Sequence, residues 1–170
     1  MDLDLEDVDL GSVIEESIEM VVSKAEDTQI AVRSDITGDL GMIRADERRI
    51  RQILFNLISN SLRFTESGGE IVISAQRMGD MVTFSVRDNG RGLEADKRAT
   101  SFDSFVSGDQ RGAGLGLALV KHFVDLHGGT VGMKPVEGGG LEVTCWLPAQ
   151  AMRAVSAQRE LLLSENVVPS

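Results

Sequence analysis

The most informative segment of the chain is Arg51-Gln52-Ile53-Leu54-Phe55-Asn56-Leu57-Ile58-Ser59-Asn60-Ser61-Leu62-Arg63-Phe64-Thr65. Its apolar residues recur every three or four positions, which predicts an amphipathic helix from Glu47 to Phe64. Asp46 precedes this pattern and is the expected N-cap. The helix has a broad apolar face, and a polar stripe follows one edge of that face.

The polar stripe consists of Gln52, Asn56, Asn60 and Arg63. Asn60 lies beside the apolar face, where an amide loses water and needs a partner. In one interpretation the two asparagines are structural and bond to neighbouring backbone. In the other, Asn60 offers its amide oxygen to a hard cation such as magnesium, and Arg63 reaches phosphates that the cation bridges.

Two glycine clusters lie downstream, and each is weak evidence by itself. The first, Asp88-Asn89-Gly90-Arg91-Gly92, follows a predicted strand. Its carboxylate can accept a hydrogen bond from the exocyclic amine of adenine, although Asp-Asn-Gly is also a common turn sequence. The second, Gly112-Ala113-Gly114-Leu115-Gly116-Leu117, runs into a helix whose first amides form a natural phosphate site, or it is a hinge. It is neither a P-loop nor a Rossmann motif.

The composition is that of one soluble domain. The chain has 170 residues, 42% of them hydrophobic and 26% charged, with a net charge of -10. This charge disfavours nucleic acid as a partner. There is no apolar run long enough to span a bilayer, so we expect a cytoplasmic fragment without membrane insertion of its own, even if its parent is membrane-anchored. The single cysteine, Cys145, is expected to be a buried thiol in a reducing compartment.

The order of predicted elements is helix, strand, helix, two strands, a long irregular lid, helix and two strands. It predicts an α/β fold, a two-layer sandwich with a mixed sheet and helices on one face. We expect an acidic lead-in or linker over residues 1–9, one domain over residues 10–148 and a C-terminal tail over residues 149–170. His122 and His127 are expected at the surface or at a helix end, and their spacing does not suit a metal site. We identify no catalytic residue of a hydrolase type.

With its motifs in this order, the chain resembles the catalytic, ATP-binding domain of sensor histidine kinases, in the GHKL superfamily shared with gyrase, a heat-shock chaperone and a mismatch-repair ATPase. The resemblance covers Leu10 to Pro148. Gln52 to Thr65 is similar to the N box, Asp88 to Gly92 to the first glycine box, Phe102-Asp103-Ser104-Phe105 to the F box, and Gly112 to Leu117 to the second glycine box. The sequence from Arg111 to Val120, together with Leu126-His127-Gly128-Gly129, resembles that of alphaproteobacterial kinases, including an atypical type with Tyr at the acceptor position.

The resemblance implies a Bergerat fold that holds ATP and magnesium between the N-box helix and the lid. Asn60 would ligate the metal, and Asn56 would support the metal or the phosphates. Arg63, where relatives usually have Lys, would contact phosphate. Phe64 would flank the nucleotide, Asp88 would bind the adenine amine, and Gly90 and Gly92 would shape the base site. The remaining expected nucleotide-binding residues lie in the lid and at its end: Phe105, Arg111, Gly112, Gly114, Leu115 and Gly116. Phe102 would help to pack the lid.

Two departures refine this expectation. The ATP-hydrolysing relatives carry Glu at the position of Asn56, and an amide cannot take a proton from water, so transfer to another side chain is favoured over hydrolysis. At Gly140-Leu141-Glu142, many relatives have Gly-Thr-Thr, which bears on the hydroxyl and water contacts near adenine.

The function implied is transfer of the γ-phosphoryl group to an acceptor His on a dimerisation domain that this chain lacks, for relay to a response regulator. The alternative is a pseudokinase or scaffold whose nucleotide pocket senses and whose output is a protein contact.

Overall fold

The computed structural model of the chain describes residues 2–90 and 114–150. Within these residues, the chain forms seven strands and three helices. In chain order they are β1 (Glu6–Asp9), α1 (Leu10–Asp27), β2 (Ala31–Thr37), β3 (Met42–Ala45), α2 (Glu47–Phe64), β4 (Glu70–Met78), β5 (Met81–Asp88), α3 (Gly114–Leu126), β6 (Thr130–Pro135) and β7 (Leu141–Pro148).

Five strands form the main sheet, in the spatial order β2-β4-β5-β7-β6. Strand β2 runs parallel to β4, and every other neighbouring pair is antiparallel, so the sheet is mixed. The three helices pack on one face of it. The predicted two-layer sandwich is therefore confirmed.

The alternation of side chains explains which face is covered. On β5, Val82, Phe84 and Val86 are buried, while Thr83 and Ser85 between them point to the other face and are half-buried. Helix α2 supplies the facing surface through a set of residues that are at most 1% exposed: Ile50, Ile53, Leu54, Leu57 and Ile58. Each such side chain contributes about 1.5–3 kcal/mol of burial free energy, so this face fixes the helix on the sheet.

The acidic start of the chain contains a strand that the sequence did not predict. Within the expected lead-in, strand β1 pairs antiparallel with β3, and Val8 is completely buried. The expected tail also begins inside the fold, because the amide of Arg44 on β3 donates to the carbonyl of Ala149 at 2.8 Å. Residues 151–170 lie outside the described part of the chain.

A buried polar cluster holds the N-terminus of α2. Asp46 is its N-cap, as predicted, and its Oδ1 accepts from the amide of Arg49 at 3.2 Å. The other oxygen, Oδ2, accepts from the amide of Asp4 at 3.0 Å. The amide of Asp46 donates to Nε2 of His127 at 3.2 Å, and Nδ1 of that ring lies 2.7 Å from the carbonyl of Phe123. Since Nε2 accepts, Nδ1 carries the proton and the ring is neutral.

Of the two positions expected for His127, the helix end is confirmed and the surface is wrong. His127 lies one residue beyond the end of α3 and is completely buried, whereas His122 is exposed. Burial is the main cause that lowers the pKa of His127, because the charged ring would lose its hydration. This imidazole thus serves as a neutral link between α3 and α2.

Among the described helices, none combines the length and the apolar character needed to cross a bilayer.

Candidate nucleotide-binding site

The amide stripe of α2 meets the start of α3. Gln52 Nε2 donates to Asn56 Oδ1 at 3.2 Å, which orients the Asn56 side chain. Asn56 Nδ2 in turn donates to the carbonyl of Gly116 at 3.4 Å, in the first turn of α3. A Cβ atom added at Gly116 would lie 4.0 Å from Cβ of Asn56. Two motifs that are 60 residues apart in sequence are therefore in direct contact.

Asn60 lies one turn further along α2 and is half-buried. Its Nδ2 atom is buried and has no hydrogen-bond partner among the described residues. Because a buried polar atom without a partner is costly, an external partner is expected here. Rotation of the amide exchanges its nitrogen and oxygen, so the same side chain can present either a donor or the oxygen ligand that magnesium prefers. The Asn60 oxygen would supply one of the several oxygen ligands of a hard cation.

The C-terminal turn of α2 presents a cation and an aromatic ring. The guanidinium carbon of Arg63, an exposed residue, lies 5.8 Å from the ring centroid of Phe64. This arrangement places a positive charge on the same edge of the helix as Asn60. Arg63 is thus available to an anion near the amide stripe.

Asp88 ends strand β5, and the sheet holds its side chain from two sides. It is 1% exposed. Its Oδ1 atom accepts from the amide of Gly90 at 3.1 Å and from the amide of Leu141 at 3.3 Å. Two donors on one oxygen fix the orientation of the carboxylate.

Glycines allow the segments around Asp88 to approach closely. A Cβ at Gly90 would lie 2.5 Å from the carbonyl oxygen of Phe64, so the end of α2 contacts the residues after β5 directly. The neighbouring Asn89 uses Oδ1 to accept from the amide of Glu70 at 2.8 Å, at the start of β4. The structure therefore places Phe64 and Asp88 together around Gly90, and Asn56 beside Gly116; we refer to the region along α2 between these two pairs as the candidate cleft.

The remaining predicted site residues cannot be placed in this way. Gly92, Phe102, Phe105, Arg111 and Gly112 lie outside the described residues. Gly114 and Leu115 open helix α3, as expected for a glycine motif that runs into a helix. Among the described residues, there is no group of three or more His, Cys, Asp or Glu side chains that would form a metal cluster. Any cation in this cleft would rely on amide and ligand oxygens.

Sequence reasoning did not assign a role to the backbone of Leu141. Its distance of 53 residues from Asp88 gives no local signal, and the side chain is completely buried as an ordinary core residue. The signal in the sequence was that Gly140-Leu141-Glu142 stands where many relatives have Gly-Thr-Thr.

The family is decided by a match of residues 45–151 to the family described as histidine kinase-, DNA gyrase B-, and HSP90-like ATPase. The chain belongs to this family. The match begins at the last residue of β3 and includes α2 and all of β7, so it covers every described segment of the cleft.

Relatives of this ATPase domain are sensor kinases. It is 38% identical to the sensor protein DivL of Caulobacter vibrioides over 148 residues, which are 87% of this chain and 19% of DivL. This similarity agrees with the alphaproteobacterial resemblance of the second glycine box. The chain spans only a small part of such relatives.

Solved structures show the same fold. The catalytic domain of histidine kinase ThkA aligns with a TM-score of 0.78 at 23% identity, covering 89% of this chain and 99% of that domain. Full-length ShkA, solved in complex with AMPPNP, aligns with a TM-score of 0.75 at 37% identity, covering 87% of this chain and 32% of ShkA. The two-layer sandwich is thus the fold of histidine kinase catalytic domains.

Proposed function

We propose that this domain binds ATP with magnesium and transfers the γ-phosphoryl group to a His side chain on a dimerisation domain, from which a response regulator receives it. The observation that carries the proposal is the contact between Asn56 and Gly116, because it joins the amide stripe of α2 to the helix terminus that suits phosphate. The reaction would take place in the cytoplasm, where ATP is available.

Each end of the cleft suits one end of the nucleotide. Asp88 can accept from the adenine amine, and Phe64 offers an apolar surface beside the base. At the other end, Asn60 would hold magnesium, and Arg63 and the amides of the first turn of α3 would bind phosphate oxygens. Magnesium, when bound, neutralises charge on the phosphates. The chain's own contribution is therefore mainly to position and to stabilise charge.

In the transfer step, a ring nitrogen of the acceptor His forms a bond to the γ-phosphorus as the bond to the bridging oxygen breaks and ADP leaves. Asn56 does not assist hydrolysis, because an amide cannot act as a base toward water. Its two polar atoms are also committed to Gln52 and Gly116. We therefore expect slow ATP hydrolysis by this domain alone.

ShkA was solved with AMPPNP, and ThkA was solved in complex with the response regulator TrrA. These relatives support the proposed ligand and the proposed downstream partner. We place the acceptor domain in the same kinase as part of this proposal, since the chain covers only 19% of the length of the sensor protein DivL.

The test is a calorimetric titration with AMPPNP in the presence and absence of magnesium. We expect saturable binding that strengthens with magnesium and that is weakened at least tenfold, with loss of the magnesium effect, in Asn60→Ala. Gln76→Ala is the matched control, since this glutamine lies on the opposite face of the sheet beside Ser74 and Thr83. Equal binding by both variants would contradict the role of Asn60.

Transfer is tested by adding the acceptor domain of the parent kinase together with γ-labelled ATP. Label on the acceptor supports the proposal. Nucleotide binding without any labelled protein would instead favour the scaffold function.

A further inference from the structure

The β6–β7 turn contacts the end of strand β5. The proposed function does not use this contact, which carries a further inference. The turn that joins β6 to β7 contains Gly138, Gly139 and Gly140, all with positive φ angles of 89°, 121° and 105°. Only glycine adopts such angles without strain. Three of the five residues between β6 and β7 are therefore glycines in a conformation that other residues rarely adopt, which needs an explanation.

The explanation lies in the approach of Gly140 to Asp88. A Cβ atom at Gly140 would lie 1.9 Å from the carbonyl oxygen of Asp88, so the two backbones are in contact and leave no room for any side chain. Gly138, in the same turn, has open space around its Cβ position. The close approach of Gly140 is therefore not shared by Gly138.

This approach delivers the next amide to the carboxylate. Leu141 N–H donates to Oδ1 of Asp88 at 3.3 Å, and the same oxygen accepts from the amide of Gly90 at 3.1 Å. We propose that the Gly140–Leu141 peptide is a positioning element for Asp88 and thereby sets the preference of the site for adenine over guanine. The proposal rests on the proposed nucleotide-binding function.

The selectivity follows from the donors and acceptors of the two bases. Adenine presents an amine donor at its 6-position, where guanine presents a carbonyl acceptor. A carboxylate only accepts, so an Asp88 side chain held toward the 6-position attracts adenine and repels guanine. A carboxylate free to rotate can reach the N–H donors elsewhere on guanine, and discrimination falls.

The experiment compares Gly140→Ala with Gly138→Ala, by titration with AMPPNP and with the corresponding guanine analogue, GMPPNP. Both variants place an alanine at a positive φ angle in the same turn, but only Gly140→Ala collides with Asp88. We expect Gly140→Ala to lower the ratio of adenine to guanine affinity about 10- to 100-fold, as for the loss of a charge-assisted hydrogen bond, and Gly138→Ala to keep the parent ratio. If Gly140→Ala discriminates between adenine and guanine as well as Gly138→Ala does, this inference is wrong, whereas the proposed function is unaffected.

If the parent chain binds neither analogue, the proposed function and this inference both fail. If Gly140→Ala does not fold, amide hydrogen exchange of the parent and of Asp88→Ala decides the question. We expect the Leu141 and Gly90 amides to exchange at least tenfold faster in Asp88→Ala, while that of Ile73 in the middle of β4 is unchanged. Unchanged exchange at Leu141 would overturn the proposed bond.

Discussion

Replacement of Asp46 by alanine is expected to destabilise the domain more than the same replacement at the other described helix cap. Asp46 caps α2 through the amide of Arg49 and also accepts from the amide of Asp4, and it is 5% exposed. Asp9 caps α1 through the amide of Ser12 at 3.1 Å and is exposed. The two aspartates share one role, but only Asp46 has the second, long-range bond.

The structure gives the size of the difference. Loss of an N-cap costs about 1 kcal/mol. The bond from Asp46 to the amide of Asp4 adds about 1 kcal/mol, which is below the usual range for charged acceptors because Asp4 is exposed. Asp46→Ala should therefore lower the free energy of unfolding by about 2 kcal/mol and Tm by about 4–8 °C, against about 1 kcal/mol and about 2–4 °C for Asp9→Ala.

Urea and thermal denaturation followed by circular dichroism measure both quantities. Asp46→Asn is the rescue variant, since asparagine is a good N-cap, and we expect it to lie within about 1 kcal/mol of the parent. The reasoning is refuted if Asp46→Ala and Asp9→Ala have the same Tm, because the bond to Asp4 would then contribute nothing.

Three further predictions concern single side chains. Burial lowers the folded-state pKa of His127 below its ordinary value near 6.5. As the pH falls below 6.5, the unfolded chain therefore takes up a proton before the folded chain does, and the free energy of unfolding should decrease by at most about 1.4 kcal/mol per pH unit. Above pH 6.5 this contribution should be constant. Urea midpoints from pH 7.5 to 5.5 measure this, and the effect should persist in His122→Gln but disappear in His127→Gln. Burial raises the pKa of the Cys145 thiol, so Ellman's reagent should leave Cys145 unmodified in the folded domain and react with it in urea. Fast reaction without urea would contradict the burial of this thiol. Asp88→Asn should weaken AMPPNP binding about 10- to 100-fold by calorimetry, since it removes the charge of the acceptor proposed for adenine, and unchanged affinity would remove Asp88 from the base site.

Local patterns predicted the helices and hairpins because their signals lie within one turn or one strand pair. Helix α2 was predicted with its N-cap and both ends, since the apolar period and Asp46 are contiguous in sequence. The hairpin of β4 and β5 was found from alternation around Gly79. Buried faces impose these periods, so the sequence carries them directly.

Contacts between distant segments were not predictable in the same way. Strand β1 has a single buried apolar residue, Val8, among acidic neighbours, and its partner β3 lies more than 30 residues away. The burial of His127 depends on the backbone of Asp46, which is 81 residues distant. Within the cleft, the amides of α2 were identified, but the bond from Leu141 to Asp88 is made by a backbone group, which any residue type would supply except proline.

The N-cap of helix α2 donates a hydrogen bond to His127, and the last residue of the helix packs closely against Gly90. Between Asn56 and Phe64 the rise of the helix amounts to about 12 Å, and the two ends of the cleft are separated by that fixed span. One inserted residue would add about 1.5 Å and turn everything beyond it by about 100°. Substitutions over this stretch should therefore be tolerated more readily than insertions or deletions. Homologous chains should align here without gaps even where little identity remains.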